Sequence, residues 1–235
     1  MNGVVEGATL VSGGNIVLKR GMQGMDRGML QAEGNITAKF LENCKVRCKG
    51  MLKADAILHS DVECQENVDI LGKKGLINGG SLSTYADVHA TTLGSTMGAS
   101  TKIKIISDKE LIIRANEIKE EVENKEETLR KIDEVVNRVK GQLASNQEVL
   151  PEQMNYLKQA TVNKPLLVKQ IRELREEREK LLVRIEKNKH SCIRVEGAVY
   201  SGIDITVKDV SKIQHEQVSH CRFVRDGADV RIVGL

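Results

Sequence analysis

Short segments with apolar residues at alternate positions recur from Gly14 onward, and their spacing constrains the fold more than any other feature of the chain. They are Gly14 to Leu18 (GNIVL), Gly34 to Ala38 (GNITA), Gly50 to Ala54 (GMLKA), Glu66 to Ile70 (ENVDI) and Ala86 to Ala90 (ADVHA), with starts 20, 16, 16 and 20 residues apart. The third position gives one column, Ile16, Ile36, Leu52, Val68 and Val88. The fifth gives another, Leu18, Ala38, Ala54, Ile70 and Ala90. Alternation with period two reads as strand. A second family of segments lies between them, with columns Leu30, Val46, Val62, Leu82 and Ala32, Cys48, Cys64, Thr84. Two strand faces per repeat are therefore visible. Columns that persist at this interval predict one parallel coil per repeat, with rungs stacked ~4.8 Å apart. Hairpins of a sandwich or barrel would give the columns no reason to persist. The two longer intervals place extra residues around Gln23–Gly28 and Lys73–Gly80, where the chain should bulge from a corner.

Such a coil needs only a thin aliphatic core, and the chain has no Trp and 2% aromatic residues within 40% hydrophobic content. A compact enzyme would ordinarily use bulky rings to fill its centre and line a pocket. The formal net charge of +3 points to neither a nucleic-acid partner nor a membrane surface. No apolar run is long enough to insert into a membrane, and Met1 to Leu10 lacks the regions of a signal peptide. The expectation is a cytoplasmic protein. Five cysteines without C-x-x-C spacing predict neither a disulfide framework nor a zinc ribbon.

Composition changes at Ser107, after which glycine nearly vanishes and charge rises. Ser107 with Glu110 has the form of a capping box. From there Ala115, Ile118, Val122, Lys125, Leu129, Ile132, Val136, Val139 and Leu143 alternate three and four apart as a heptad seam. A second seam reads Leu167, Ile171, Leu174, Arg178, Leu181 and Ile185, in an arm from about Glu152 to Lys189. Arms of similar length joined around Ser145–Pro151 predict an antiparallel coiled-coil hairpin, each arm projecting on the order of 55 Å. Pro165 should kink the second arm or restart it near Asn163 and Lys164. Strand pattern resumes with Ala198–Val207 (AVYSGIDITV), then Cys221–Val224 and Asp229–Val233. The fold class is thus mixed β and α: a parallel β-helix (β-solenoid) over 1–106, a long antiparallel coiled-coil hairpin inserted over 107–190, and final strands over 191–235 that return to the β-helix.

The segments ENCKV, LHSDVE (Leu58–Glu63), GKKGLINGG (Gly72–Gly80) and TLGSTMGASTKIKI (Thr92–Ile105) resemble the flagellar assembly protein A family, as does the order of β-helix, helical pair and short strand segment GAVYSGIDITV from Gly197. Members of that family usually carry a further domain before the β-helix, whereas this chain begins in solenoid-like sequence. The resemblance implies a role in bacterial flagellar assembly or polar organisation, at the cell pole, with other proteins as partners. It supplies no catalytic residues. Gly72, Lys73, Lys74, Gly75, Gly79 and Gly80 are carried as its structural motif.

Sharper chemical readings fare poorly. GKKGLINGG lacks the G-x-x-x-x-G-K-[ST] order of a phosphate loop and leads to a strand, so a corner is expected. His215, Glu216 and His220 fail the H-E-x-x-H spacing, since histidines five apart lie ~140° apart on a helix. Cys48 and Cys64 share a column, where burial as small apolar residues accounts for them without redox chemistry. Asp69 and His89 could be neighbours in adjacent rungs, within an outward face of mixed polar residues. The basic residues from Lys164 to Arg184 are interleaved with glutamates, as on a solvated helical face. Catalytic residues, metal and cofactor are accordingly expected to be none. The reading is a scaffold whose helical arm docks other proteins and whose open solenoid ends favour self-association, with a carbohydrate-binding or carbohydrate-cleaving β-helix as the alternative.

Overall fold

A computed structural model describes residues 2–145 and 147–235. The chain divides into two compact units, residues 1–108 with 187–235 and residues 109–186.

The first unit is a parallel β-solenoid. β1 (Val4–Glu6) and β2 (Thr9–Ser12) form a partial coil. β3 (Ile16–Ala32) and β4 (Ile36–Cys48) each wind through a whole coil, and later coils divide into β5 (Leu52–Ala54) with β6 (Ala56–Cys64), then β7 (Val68–Ile70) with β8 (Leu76–Thr84). The next comprises β9 (Val88–Ala90), β10 (Thr92–Leu93) and β11 (Thr101–Ile106). After the helices, β12 (Ile193–Val199) and β13 (Ile203–Lys208) add one more coil in parallel register on β9, β10 and β11.

Register places Ile16, Ile36, Leu52, Val68, Val88 and Ile193 in one column and Leu30, Val46, Val62, Leu82, Ile103 and Ile205 in another, all buried. The columns read from the sequence on these two faces are thus real. There is also a third face, which the sequence reading lacked: Met22, Leu41, Ile57, Ile77, Leu93 and Val199 stack in register and are buried. Each coil is therefore three-sided, and aliphatic side chains from three faces fill its narrow interior.

Corners are built by side chains as well as by glycine. Asn43, His59 and Gly79 occupy the same corner of successive coils, all with positive φ. At another corner, the Asn15 Oδ1 accepts the N–H of Asn35, and the Asn35 Oδ1 accepts the N–H of Met51, each at 2.7 Å. A Cβ on Gly34 would lie 2.2 Å from the Asn15 Oδ1, and one on Gly50 would lie 2.1 Å from the Asn35 Oδ1. The recurring Gly-Asn pair thus has a steric origin: the asparagine of one coil occupies the space that a side chain on the next would need. Asn35→Ala should lower stability by about 1 kcal/mol, measured by urea denaturation, because it removes one bond between coils at an exposed corner.

Several expectations need correction. The extra residues of the second long interval fall within Leu71–Gly75, since Leu76 already lies in β8. The first falls as expected, between Gln23 and Gly28, where Met25 and Asp26 take positive φ. Ala198–Val207 is not one strand, because the chain turns between β12 and β13. The C-terminal coil is not open either. β14 (Val210–Gln214) pairs antiparallel with β13, β15 (Val218–Asp226) pairs antiparallel with β12, and β16 (Asp229–Gly234) pairs with β15. Phe223 fills the core beneath this cover. Antiparallel strands occupy the backbone groups that another parallel coil would need, so stacking on β12 and β13 is blocked.

The second unit holds α1 (Lys109–Ala144) and α2 (Pro151–Asn188) up to Glu186. Its core is Ile118, Val122 and Ile171, with Leu129, Leu167, Leu174 and Leu181 packed against it. Pairs Arg114–Glu177, Lys125–Gln170 and Lys164–Asp133 join the helices with falling number on one and rising on the other, so they run antiparallel. α1 begins after Asp108, one residue later than the expected cap at Ser107 requires. α2 continues through Pro165, so no restart occurs there. No described helix is long and apolar enough to cross a membrane.

Candidate functional site

The GKKGLINGG segment leaves β7 at Ile70, exposes Gly72, Lys73 and Lys74, and enters β8. Gly75, with φ +53, packs so tightly that an added Cβ would lie 2.1 Å from the Thr91 Oγ1, while its carbonyl accepts the N–H groups of Thr91 and Thr92. Ile77 points into the third column. The Gly79 N–H donates to the Thr101 Oγ1 at 2.8 Å, and the Gly80 N–H donates to the Ser100 carbonyl at 3.0 Å. A phosphate cradle needs such N–H groups free and convergent on one point. At Gly79 and Gly80 they are bonded to the next coil, so this pair turns a corner.

The sequence reading also marked Asp69 and His89 as neighbours, and the structure brings them together: His89 Nδ1 lies 3.2 Å from the Asp69 carboxylate, with Lys53 at 3.9 Å from the same group. These side chains stack on adjacent coils as a partly exposed charge ladder. Arg47 and Glu63 repeat the arrangement on another face at 3.0 Å. Exposed pairs of this kind contribute about 0–1 kcal/mol each. His215 and His220 are exposed, in the β14–β15 turn and along β15, and no described group of three His, Cys, Asp or Glu is arranged to hold a metal ion.

The helical hairpin carries several exposed apolar side chains. Its seam holds two polar residues. Lys125 bonds Gln170 at 3.2 Å, and the Arg178 Nε donates to the Ala115 carbonyl at 3.2 Å, so both positions are filled by long side chains whose stems pack while their heads find partners. Away from the seam, Val162, Leu166 and Val183 are 74%, 57% and 63% exposed. These apolar residues lie outside the hairpin's own core. The seam pattern used in the sequence reading did not register them, because it follows only the positions that face the partner helix.

A family model described as Flagellar Assembly Protein A beta solenoid domain matches residues 1–230. No curated protein and no solved structure matches the chain.

Proposed function

The chain belongs to the Flagellar Assembly Protein A β-solenoid family, and from that premise we propose that it is a non-catalytic scaffold of bacterial flagellar assembly whose helical hairpin is a docking arm for other proteins. The observation that carries the docking reading is the exposure of Val162, Leu166 and Val183 on a hairpin whose core is already closed by Ile118, Val122 and Ile171. Burial of such side chains supplies the usual driving force for a partner. The solenoid's role in this reading is rigidity, since every coil is held to its neighbours by parallel ladders and a continuous aliphatic core. A cytoplasmic place at the cell pole suits the flagellar context.

Two variants test the arm. Replacement of residues 109–186 by a short Gly/Ser linker should abolish capture of flagellar assembly proteins from a flagellated bacterium. Val162→Glu with Leu166→Glu and Val183→Glu should weaken that capture at least about tenfold, or about 1.4 kcal/mol, with helical content unchanged by circular dichroism. Undiminished capture by either variant rejects the docking arm.

A further inference from the structure

Two cysteines on neighbouring coils form a feature that scaffolding does not use. Cys48 and Cys64 are partners in the parallel register of β4 and β6, and their sulfurs lie 3.2 Å apart. Both are free thiols, 5% and 2% exposed. Burial alone would explain one such residue in the column, but here two are paired sulfur to sulfur, and both residues are among those that line a surface recess of about 440 Å³. Ala32, Ser83, Tyr85 and Ile106 also line it, and Arg47 and Lys49 stand at it, paired with Glu63 and Glu33.

We propose that Cys48 and Cys64 are a reversible disulfide-forming site that takes a low-molecular-weight disulfide, such as oxidised glutathione, as its oxidant. Directly paired residues on adjacent rungs have Cα atoms ~4.8 Å apart, inside the range that a disulfide spans. Their Cβ atoms, at a similar spacing, stand wider than the ~3.8 Å of a relaxed disulfide, so the bond draws two coils together and is readily reopened by thiols.

The two sulfurs divide the chemistry. The Cys48 S–H donates to Cys64, which holds the Cys64 thiol below its ordinary range, and that bond together with burial pushes Cys48 up. Cys44, Cys192 and Cys221 are all pushed up by burial, so among the five cysteines only Cys64 is shifted down. The Cys64 thiolate attacks one sulfur of the reagent's disulfide, forming a mixed disulfide and expelling one reagent thiolate. Cys48 then loses its proton and attacks the Cys64 sulfur, forming the Cys48–Cys64 bond and expelling the second. The two protein thiols lose two electrons and two protons, and the reagent leaves as two thiols.

Treatment of the whole folded chain with excess oxidised glutathione, followed by intact-mass measurement and peptide mapping, tests the site. The expected result is loss of two hydrogen atoms, a peptide linkage between Cys48 and Cys64, and recovery of both thiols with dithiothreitol. Cys48→Ser, which lacks the resolving thiol, should instead accumulate one glutathione adduct on Cys64. An unchanged mass, or a linkage through any other cysteine, overturns the proposal. The measurement on the unaltered chain decides it even where a serine variant fails to fold.

Discussion

Gly80→Ala is expected to destabilise the solenoid by about 3–5 kcal/mol, a large part of the stability of an ordinary domain. Gly80 has φ +84, and a Cβ there would lie 2.3 Å from the Ser60 carbonyl oxygen and 2.7 Å from its nitrogen. The left-handed conformation costs an L-residue roughly 1–2 kcal/mol. The remainder comes from the backbone of the neighbouring coil, which cannot move aside as a side-chain tip could, because it is bonded into the ladder between β6 and β8. Gly98→Ala separates the two effects. Gly98 has φ +71 and open space around the added carbon, so that variant should lose only the conformational part. Equal urea midpoints for the two alanine variants would show that the approach of Gly80 to Ser60 contributes nothing, and the motif's final glycine would then need another explanation.

That contrast also marks where the sequence was legible. Faces that place two inward residues per coil, such as Leu52 with Ala54 or Val62 with Cys64, leave a period-two signature at a fixed interval. The third face places one fully buried residue per coil, for example Leu41 or Ile57, within segments too short to alternate. Bulges at Met25–Asp26 and Leu71–Gly75, which flank this face, further disturb its spacing. A single column with irregular intervals cannot be told from chance. The antiparallel direction of the cover was illegible for a different reason: Cys221–Val224 and Asp229–Val233 read as strands, but direction depends on how the chain turns, as at Lys208, a non-glycine residue with φ +62. No composition rule marks a lysine as such a turn.

The hairpin shows the same division between regular and singular features. Its antiparallel pairing follows from two heptad seams and a short connection, and the seam survives Lys125 and Arg178 because their partners, Gln170 and the Ala115 carbonyl, are supplied by the opposite helix. Whether α2 restarts at Pro165 or continues through it was not legible, since packing along the remaining turns of a 38-residue helix decides it. For the GKKGLINGG motif, sequence order alone argued against a phosphate loop, but the positive reason lies in long-range partners: Gly79 bonds Thr101 and Gly80 bonds Ser100, some twenty residues on. Likewise the column of Cys48 and Cys64 was visible, whereas the recess beside it depends on Tyr85 and Ile106 from later coils.

Lys208→Met is expected to cost about 3–5 kcal/mol, because it strands a buried carboxylate. Asp108 is 4% exposed and lies 3.3 Å from the Lys208 amine, itself only 16% exposed, and the other carboxylate oxygen of Asp108 has no partner among the described residues. Methionine keeps the length and apolar stem of lysine and can hold the same φ of +62 with no more strain, so what it removes is the charge. Asp108→Asn in the same chain should restore most of the loss, since neither a buried charge nor its missing partner then remains. The pair has a particular place: Asp108 ends the first stretch of the solenoid unit and Lys208 belongs to the second, so their bond ties together segments that the helices separate in sequence. Glu66 with Lys187, and Asp87 with the Cys192 N–H, tie the same two stretches. A urea midpoint for Lys208→Met indistinguishable from that of the parent chain would mean that those other ties and the β-ladders hold the two stretches together unaided, and that Asp108 finds solvent or another donor once its lysine is gone.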